Sequence, residues 1–331
     1  MMTPKNARAV VMREYGPPEV LIYEQVPLAP VGADEVRIKT LASAVNHTDL
    51  EIRAGNWAIQ KPQPFPYIPG VEVVGHIEEA GEGVREFQPG DRVITMMQGL
   101  GGVRAERGGS YAEYVTVSAS AVAPVPSGVD CYEMAAVGLA GVTAYEGLRR
   151  IGPLSNRRIV VTGAAGGIGS AATTIARARE AFVIGVVSRP SQVDYVLSLG
   201  ANEVIVWSTA NQRLLAPKSI DGVLDAVGGD LFHSCVAALK SGGTLSLVGA
   251  VGGGDVRFDA YELIRPVLLT GYSSETLDGG ALRAAVQALG ELLLRGSIKP
   301  PARTTMPLAK AAQAHALLEQ GGVAGRILLI P

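Results

Sequence analysis

The first 126 residues contain short β-prone runs that Gly and Pro interrupt. Residues 36–40 (VRIKT) alternate apolar and polar side chains with a period of two, which is typical of a strand with one buried face. Residues 111–117 (YAEYVTV) form a second such run, and the Pro-Gly pairs at 69–70 and 89–90 indicate turns. This part of the chain is predicted to form an irregular, mostly antiparallel β domain.

From about residue 127 the pattern changes to apolar strand, loop and helix. Residues 182–187 (FVIGVV) are continuously apolar, as expected of a strand that is covered on both faces. Before them, residues 168–176 place apolar side chains at the spacing of one helix face. The pattern predicts an α/β fold with a doubly wound, six-stranded parallel sheet of the Rossmann type. The six predicted strands are 159–161, 182–187, 203–207, 222–226, 244–249 and 267–270. Two helix-like stretches and a final strand, 326–330 (RILLI), follow after about residue 272.

Composition and charge exclude several classes of protein. The 331 residues suffice for two domains, and a 47% hydrophobic content excludes disorder. With 29 basic and 31 acidic side chains, no nucleic-acid partner is expected. The two cysteines, Cys131 and Cys235, are too few for a four-cysteine zinc site and indicate a reducing compartment. Because neither an 18-residue apolar run nor a signal peptide is evident, we expect a cytoplasmic protein without a membrane partner.

A glycine-rich loop lies between the first predicted strand of this sheet and the following helix. Residues 162–169 read TGAAGGIG, with the spacing G-x-x-G-x-x-G. Glycine lets the backbone approach a pyrophosphate, which the helix N-terminus stabilises. A tight turn without a ligand is the alternative. The loop predicts a dinucleotide site at Ala165, Gly166, Gly167 and Ile168. The backbone of Val248 and Gly249, at the end of a later strand, is expected near the nicotinamide.

The end of the second predicted strand distinguishes between NAD and NADP. An NAD site has a carboxylate there that accepts a hydrogen bond from the ribose 2′-hydroxyl. This chain has Ser188 and Arg189 instead, and a guanidinium can pair with a 2′-phosphate. A solvated arginine in a turn is the alternative, but NADPH is the predicted cofactor. Trp207, at the end of the third strand, is expected to pack near the adenosine or in the core.

Seven segments in this order carry a resemblance to a known family. They are NHTDLEIRAGNW at 46–57, PGVEVVG at 69–75, PGDRV at 89–93, GSYAEYV at 109–115, TAY at 143–145, the glycine loop and GRILLIP at 325–331. Together the segments resemble the medium-chain dehydrogenases/reductases. The resemblance implies a GroES-like β domain, residues 1–126 and 272–331, around a Rossmann NADPH-binding domain, residues 127–271. It also implies an active site in the cleft between them and a homodimer.

The residues at the family's zinc positions differ from metal ligands. Zinc alcohol dehydrogenases of this family have a cysteine where this chain has Asn46, and a histidine where it has Val71. Neither side chain is a plausible Zn²⁺ ligand, and His47 and Glu72 alone cannot complete a site. The region near 96–109 also lacks the cysteines of a structural zinc lobe. No metal is therefore expected. The chain resembles the zinc-independent quinone oxidoreductase (zeta-crystallin-like) branch.

The predicted reaction follows from the lack of a Lewis acid. An isolated carbonyl would not be strongly polarised, whereas a C=C conjugated with a carbonyl needs only orientation and hydrogen-bond donors. The predicted activity is NADPH-dependent hydride transfer to an enone, a quinone or an enoyl thioester. Two alternatives remain. One is a dedicated enoyl-CoA or other enoyl-thioester reductase of acyl-CoA or polyketide metabolism, and the other is a non-catalytic NADPH-binding structural or RNA-binding protein.

Five residues are the candidates for catalysis. Asn46 is expected to donate to the enolate oxygen or to a ribose, or else to cap a strand, and Asp49 to organise its loop. The Thr143 hydroxyl resembles the family hydroxyl that contacts the nicotinamide. Glu51 is the one candidate acid in the pocket and Trp57 a pocket wall, at positions where tyrosines often line quinone reductase pockets. The long loop 95–109 is expected to leave room for a bulky substrate.

Overall fold

A computed structural model describes residues 6–208 and 215–331 of the chain. The strands, in chain order, are β1 Asn6–Val11, β2 Ile22–Pro27, β3 Glu35–Val45, β4 Glu72–Ala80, β5 Arg92–Met96, β6 Tyr114–Ser118, β7 Ala123–Pro124, β8 Arg158–Thr162, β9 Phe182–Val187, β10 Glu203–Val206, β11 Ile220–Asp225, β12 Leu239–Leu247, β13 Leu268–Gly271, β14 Arg303–Pro307 and β15 Arg326–Ile330. The helices are α1 His47–Ala54, α2 Cys131–Ile151, α3 Gly167–Ala178, α4 Val193–Ser198, α5 Leu231–Ala238, α6 Gly279–Leu294 and α7 Ala311–Glu319.

Six strands form a parallel sheet in the order β10-β9-β8-β11-β12-β13. This confirms the predicted Rossmann sheet, with β9 at the predicted residues. The prediction succeeds because both faces are covered, so that β8 and β9 are apolar along almost their whole length. Strand β12 begins five residues earlier than predicted, at Leu239, because its first residues pair with β11 across an irregular register.

The second large sheet has the order β14-β15-β3-β4-β5-β7, with β6 also paired to β3. Pairing is antiparallel among β3–β7, as predicted, and β15 is antiparallel to β3. The alternation in β3 is interrupted at Arg37, which is buried because its guanidinium donates to Thr116 Oγ1 (3.3 Å) and Glu79 Oε2 (3.2 Å). Strand β14 was not predicted, since its mostly exposed residues show no alternation.

Helix α2 connects the two sheets. Its N-cap, Asp130, accepts hydrogen bonds from the backbone N–H groups of Tyr132 (3.0 Å) and Glu133 (2.9 Å). The helix is kinked at Gly138, whose φ of 36° and ψ of −139° are non-helical. It packs against β3 and β4 of the antiparallel sheet and against β11 and β12 of the parallel sheet. One apolar cluster runs from one sheet through α2 to the other. No helix in the described part of the chain is long and apolar enough to cross a membrane.

Candidate active site

Three buried or half-buried side chains form what we call the central cluster: Asn46, Glu72 and Arg326. Asn46 is the N-cap of α1, Glu72 begins β4 and Arg326 begins β15. Glu72 forms an ion pair with Arg326, and both side chains are at least 95% buried. Strand pairing explains the contact, because β3, which leads into α1, lies between β4 and β15.

Glu72 is fully engaged by hydrogen-bond donors. Besides Arg326, its Oε1 accepts from Asn46 Nδ2 (2.9 Å), and its Oε2 accepts from the backbone N–H of Leu139 (2.6 Å). That N–H is available because the kink at Gly138 interrupts the hydrogen-bond ladder of α2. A buried carboxylate needs such partners, since an unpaired buried charge costs several kcal/mol.

The amide of Asn46 is also engaged. Its Nδ2 donates to Glu72 Oε1 and to the Ala44 carbonyl oxygen (3.2 Å), while its Oδ1 accepts from Arg326 Nη1 (3.1 Å). Both amide hydrogens are therefore already donated within the protein. That Asn46 donates to the substrate stays a prediction, and Arg326 is the charged donor beside it.

Asp49 is completely buried one helical turn after Asn46. Its Oδ2 accepts from the backbone N–H of Asn46 (2.9 Å), which completes a capping box and fits the predicted organising role. Burial raises the pKa of Asp49 to about 7, against the effect of this hydrogen bond. The carboxyl is therefore partly protonated at neutral pH.

A chain of buried polar groups continues from Asp49. Burial, and then the nearby Asp49 carboxylate, raises the pKa of Tyr111 well above its usual value. The Tyr111 hydroxyl lies 3.0 Å from His315 Nε2, and Arg53 Nη1 lies 3.3 Å from His315 Nδ1. Because a guanidinium only donates, Nδ1 accepts and the proton of His315 lies on Nε2. Burial, helped by Arg53, lowers the pKa of His315 to about 3. Arg53 also pairs with Glu319 at the surface.

The glycine loop lies against the start of β15. Gly163 has a φ of 59°, and a Cβ at Gly169 would overlap the Gly163 carbonyl oxygen, so both positions need glycine. The carbonyl oxygen of Ala165 accepts from the Gly325 N–H (2.9 Å), and Gly166 is the N-cap of α3. A Cβ at Gly167 would lie 2.7 Å from Arg326 Cδ. The loop and the central cluster are therefore neighbours, and Ile168 lies in the first turn of α3, whose N–H groups lack helical partners.

Ser188, Arg189 and Trp207 lie at the carboxyl ends of adjacent strands. The backbone N–H of Trp207 donates to the carbonyl oxygen of Val187, the residue before Ser188 (2.8 Å). Arg189 is exposed, and its Nη2 donates to the Gln320 carbonyl oxygen (2.9 Å). The turn after α7 thus orients the guanidinium that was predicted to bind the 2′-phosphate.

Thr143, Val248 and Gly249 lie where α2 crosses the carboxyl end of the Rossmann sheet. Thr143 is buried one turn before Gly147, and a Cβ at Gly147 would lie 2.6 Å from Val248 Cγ1. The Val248 N–H donates to the Asp225 carbonyl oxygen at the end of β11 (2.7 Å).

Glu51 and Trp57 lie apart from the central cluster. Glu51 is exposed and its Oε2 accepts from Asn56 Nδ2 (2.9 Å). Trp57 is 38% exposed in the turn after α1, and its backbone N–H donates to the Glu51 carbonyl oxygen (3.2 Å). Across residues 6–208 and 215–331, no hydrogen bond joins either side chain to the central cluster. Their roles as acid and pocket wall stay predictions.

The loop 95–109 folds inward, contrary to the expectation of open space. Leu100 is fully buried, and Val103 and Ala105 are less than 10% exposed. A cavity of about 230 Å³ remains between this loop and the segment after β13. The loop therefore leaves a compact cavity.

The residues at the expected zinc positions do not fit a divalent cation. Asn46 and Val71 supply no suitable ligand, and Glu72 is saturated by donors beside a guanidinium. Among the described residues, no group of three or more His, Cys, Asp or Glu side chains is arranged to hold a metal ion.

Sequence reasoning did not identify Arg326, Tyr111 or His315 as site residues. Arg326 lies 254 residues from Glu72, so only the tertiary fold shows their contact. The basic residue after glycine in the closing GRILLIP segment was the available signal, because a charge at the start of a buried strand needs a partner.

Comparisons with known proteins agree with this architecture. The alcohol dehydrogenase GroES-like domain family matches residues 32–127, and the zinc-binding dehydrogenase family matches residues 167–288. The quinone oxidoreductase of Lama guanicoe is 32% identical over 335 residues, which cover 98% of this chain and 97% of the relative. Alcohol dehydrogenase 1 of Emericella nidulans is 30% identical, with 99% of both chains covered.

A solved structure shows the same fold. The quinone oxidoreductase of Escherichia coli, complexed with NADPH, superposes with a TM-score of 0.85 at 26% identity, covering 98% of this chain and all of that one. The matches run through both sheets, from the antiparallel domain to the Rossmann domain. By its fold, by the order of its motifs and by its full-length relatives, this chain belongs to the medium-chain dehydrogenase/reductase superfamily, in the quinone oxidoreductase branch.

Proposed function

We propose that this protein is a zinc-independent, NADPH-dependent reductase that transfers hydride to a C=C conjugated with a carbonyl, as in a quinone or an enone. One observation carries the proposal. The central cluster places a buried guanidinium, Arg326, beside the glycine loop, where zinc-dependent relatives would need metal ligands. Its charge beside Glu72 disfavours a second cation there.

The glycine loop and the residues after β9 have the features that NADPH binding needs. The glycine loop has the positive φ and the close packing that phosphate-binding loops need, and it opens into the N-terminus of α3. No carboxylate follows β9, and Arg189 is available for a 2′-phosphate. The NADPH bound to the Escherichia coli quinone oxidoreductase supports the same choice. When bound, NADPH supplies the hydride.

The residues of the chain would orient the reactants and stabilise the oxyanion. The N–H groups at Gly167 and Ile168 would hold the pyrophosphate, while Thr143 and the Val248 backbone would position the nicotinamide. Arg326 and Asn46 would stabilise the negative charge that develops on the substrate oxygen, with Asn46 turning from its partners to donate. Asp49 would keep the N-terminus of α1 in place.

The cavity beside the loop 95–109 has space for a small acceptor. A volume of about 230 Å³ suits one or two fused rings. An enoyl thioester would have to place its CoA arm outside this cavity. We therefore rank a quinone or a small enone above an enoyl thioester.

Steady-state assays with product analysis test the proposal. The protein should oxidise NADPH with a quinone and with an enone, and the enone should yield the saturated ketone. An allylic alcohol as the main product, or preference for an enoyl-CoA over both, would contradict the proposed acceptor. Tight NADPH binding without turnover on any acceptor would support the non-catalytic alternative.

We also propose a division into a catalytic domain, residues 1–126 and 272–331, and a cofactor domain, residues 127–271. The return of β15 to pair with β3 supports this division.

A cytoplasmic homodimer is the proposed assembly. Strand β13 is the edge of the Rossmann sheet, and Tyr261, Ile264 and Leu268 on or beside it are 77%, 77% and 55% exposed. A second copy could pair with this edge about a two-fold axis and cover these side chains.

A further inference from the structure

A small cavity with two unpartnered polar atoms lies between the loop after β5 and the segment after β13. The Met97 N–H donates to the carbonyl oxygen of Val71, the residue before Glu72 (2.7 Å), so one wall adjoins the central cluster. On the opposite side, the Tyr272 N–H donates to the carbonyl oxygen of Leu247, at the carboxyl edge of the Rossmann sheet (3.0 Å). The cavity therefore lies beside the proposed reaction site.

The two polar atoms are Gln98 Nε2 and Glu275 Oε1. Both are shielded from solvent, and neither has a hydrogen-bond partner within the part of the chain that the structure describes. Buried polar atoms are almost always paired, because an unpaired donor or acceptor loses its hydration without replacement. The remaining walls include the apolar side chains of Met97 and Val103.

The backbone that presents Gln98 is strained. Met97 and Gln98 have φ values of 54° and 46°, in the left-handed region that residues other than glycine seldom adopt. Strain of this kind persists where the surrounding structure holds it, and it concentrates at functional sites. The strained backbone at Met97 and Gln98 thus holds the amide of Gln98 at the wall of the cavity.

We propose that this cavity binds a hydroxyl group of the acceptor, so that the protein prefers a hydroxylated quinone or enone to its unsubstituted counterpart. A hydroxyl oxygen would accept from Gln98 Nε2 while its hydrogen donates to Glu275 Oε1. An ether could accept from Gln98 but could not donate to Glu275. The inference rests on the proposed function, since it names the substrate class of that same site.

Matched acceptors and matched variants test the preference. The acceptors are 6-hydroxy- and 6-methoxy-1,4-naphthoquinone, whose substituent is too far from the quinone carbonyls to form an internal hydrogen bond, and the variants are Gln98→Met and Glu275→Met. The hydroxy-to-methoxy ratio of kcat/KM, compared between proteins, cancels the intrinsic reactivity of each acceptor. We expect the ratio to fall at least about tenfold in Glu275→Met, which loses a charge-assisted hydrogen bond, and several-fold in Gln98→Met, which loses a neutral one. Glu14→Met, the same exchange at an exposed position, should keep the wild-type ratio.

A binding measurement separates this inference from the proposed function. Titration calorimetry compares 1-naphthol with 1-methoxynaphthalene, neither of which is reduced, on protein saturated with NADP⁺. Tighter binding of 1-naphthol that both variants abolish would support the hydroxyl site, even if no quinone were reduced. Equal binding of the two compounds, or a preference that survives in both variants, would overturn it, even if quinone reduction were established.

Discussion

At the scale of single residues, the buried ionisable groups of this protein depend on specific partners. Glu72 has Arg326, Asn46 and the Leu139 N–H, and His315 lies between Tyr111 and Arg53. Asp49 and His315 are both buried, but burial moves their pKa values in opposite directions, to about 7 and about 3. The folded state thus holds a proton on Asp49 and excludes one from His315 at mildly acidic pH.

These shifts predict opposing effects on stability between about pH 4 and 6.5. Because the pKa of Asp49 is raised on folding, its contribution to the free energy of unfolding falls as pH rises through this range. The pKa of His315 is lowered, so its contribution rises with pH. Each slope is about 1.4 kcal/mol per pH unit, and in the wild type the two nearly cancel.

Replacing either Asp49 or His315 should expose the effect of the other group on the pH dependence of stability. Urea unfolding of Asp49→Asn should show stability rising with pH relative to the wild type, and His315→Gln should show it falling. If both variants follow the wild-type pH dependence, the two groups are not shifted as described.

The turn after α7 gives a second test at this scale. Gly322 has a φ of 87°, and a Cβ there would overlap Arg189 Nη1. Gly322→Ala should displace the guanidinium and raise the KM for NADPH roughly tenfold, the effect of losing one charge-assisted hydrogen bond. The KM for NADH should stay within about twofold, since NADH has no 2′-phosphate.

Gly296→Ala is the control for backbone strain, because Gly296 has a φ of 63° and open space around its Cβ position. An equal rise in KM for both cofactors in Gly322→Ala would indicate a general disturbance of the loop and argue against a role for Arg189.

At the scale of elements, burial decides which parts could be predicted from the sequence. Strand β9 is covered on both faces, so its apolar run identified it, and the glycine loop was recognisable because strand, loop and helix are contiguous. The exposed edge strand β14 has no such pattern. The kink of α2 could not be predicted, since it depends on Glu72, a residue on another element.

The kink at Gly138 is essential to the central cluster. A Cβ there would overlap Glu72 Oε2, and the non-helical backbone would be strained for any residue but glycine. Gly138→Ala should lower the free energy of unfolding by about 3–5 kcal/mol, because the added Cβ would displace the buried Glu72 carboxylate from its partners. It should also lower kcat.

Gly152→Ala, at the end of the same helix, isolates the backbone strain because no atom lies near the Cβ position. It should cost about 1–3 kcal/mol and leave kcat unchanged. Equal losses of stability in the two variants, measured by urea unfolding, would mean that the contact between Gly138 and Glu72 contributes nothing.

At the scale of the whole molecule, the change of hydrophobic pattern near residue 127 predicted the two sheets. The residues at Asn46 and Val71 showed directly that the metal ligands are missing. The geometry of the site could not be predicted from the sequence, because the site joins the beginnings of α1, β4 and β15 from distant parts of the chain. The resemblance supplied the return of the C-terminal segment, which residue patterns alone left open.

The proposed dimer is tested at the exposed edge of the Rossmann sheet. Leu268→Lys would bury an unpaired charge in the proposed interface, so sedimentation should show a shift from dimer to monomer. Leu294→Lys changes a leucine of similar exposure on α6, away from this edge, and should leave the dimer intact. A dimer that survives Leu268→Lys would place the interface elsewhere.

The central claim is that hydride passes from NADPH to a conjugated acceptor without a metal ion. The most direct test is kcat/KM with NADPH and with NADH for one naphthoquinone, before and after exhaustive chelation. We predict a preference for NADPH of about tenfold or more, from the charged contact at Arg189, and the same values after chelation. Equal or faster turnover with NADH, or activity that chelation removes and zinc restores, would contradict the account.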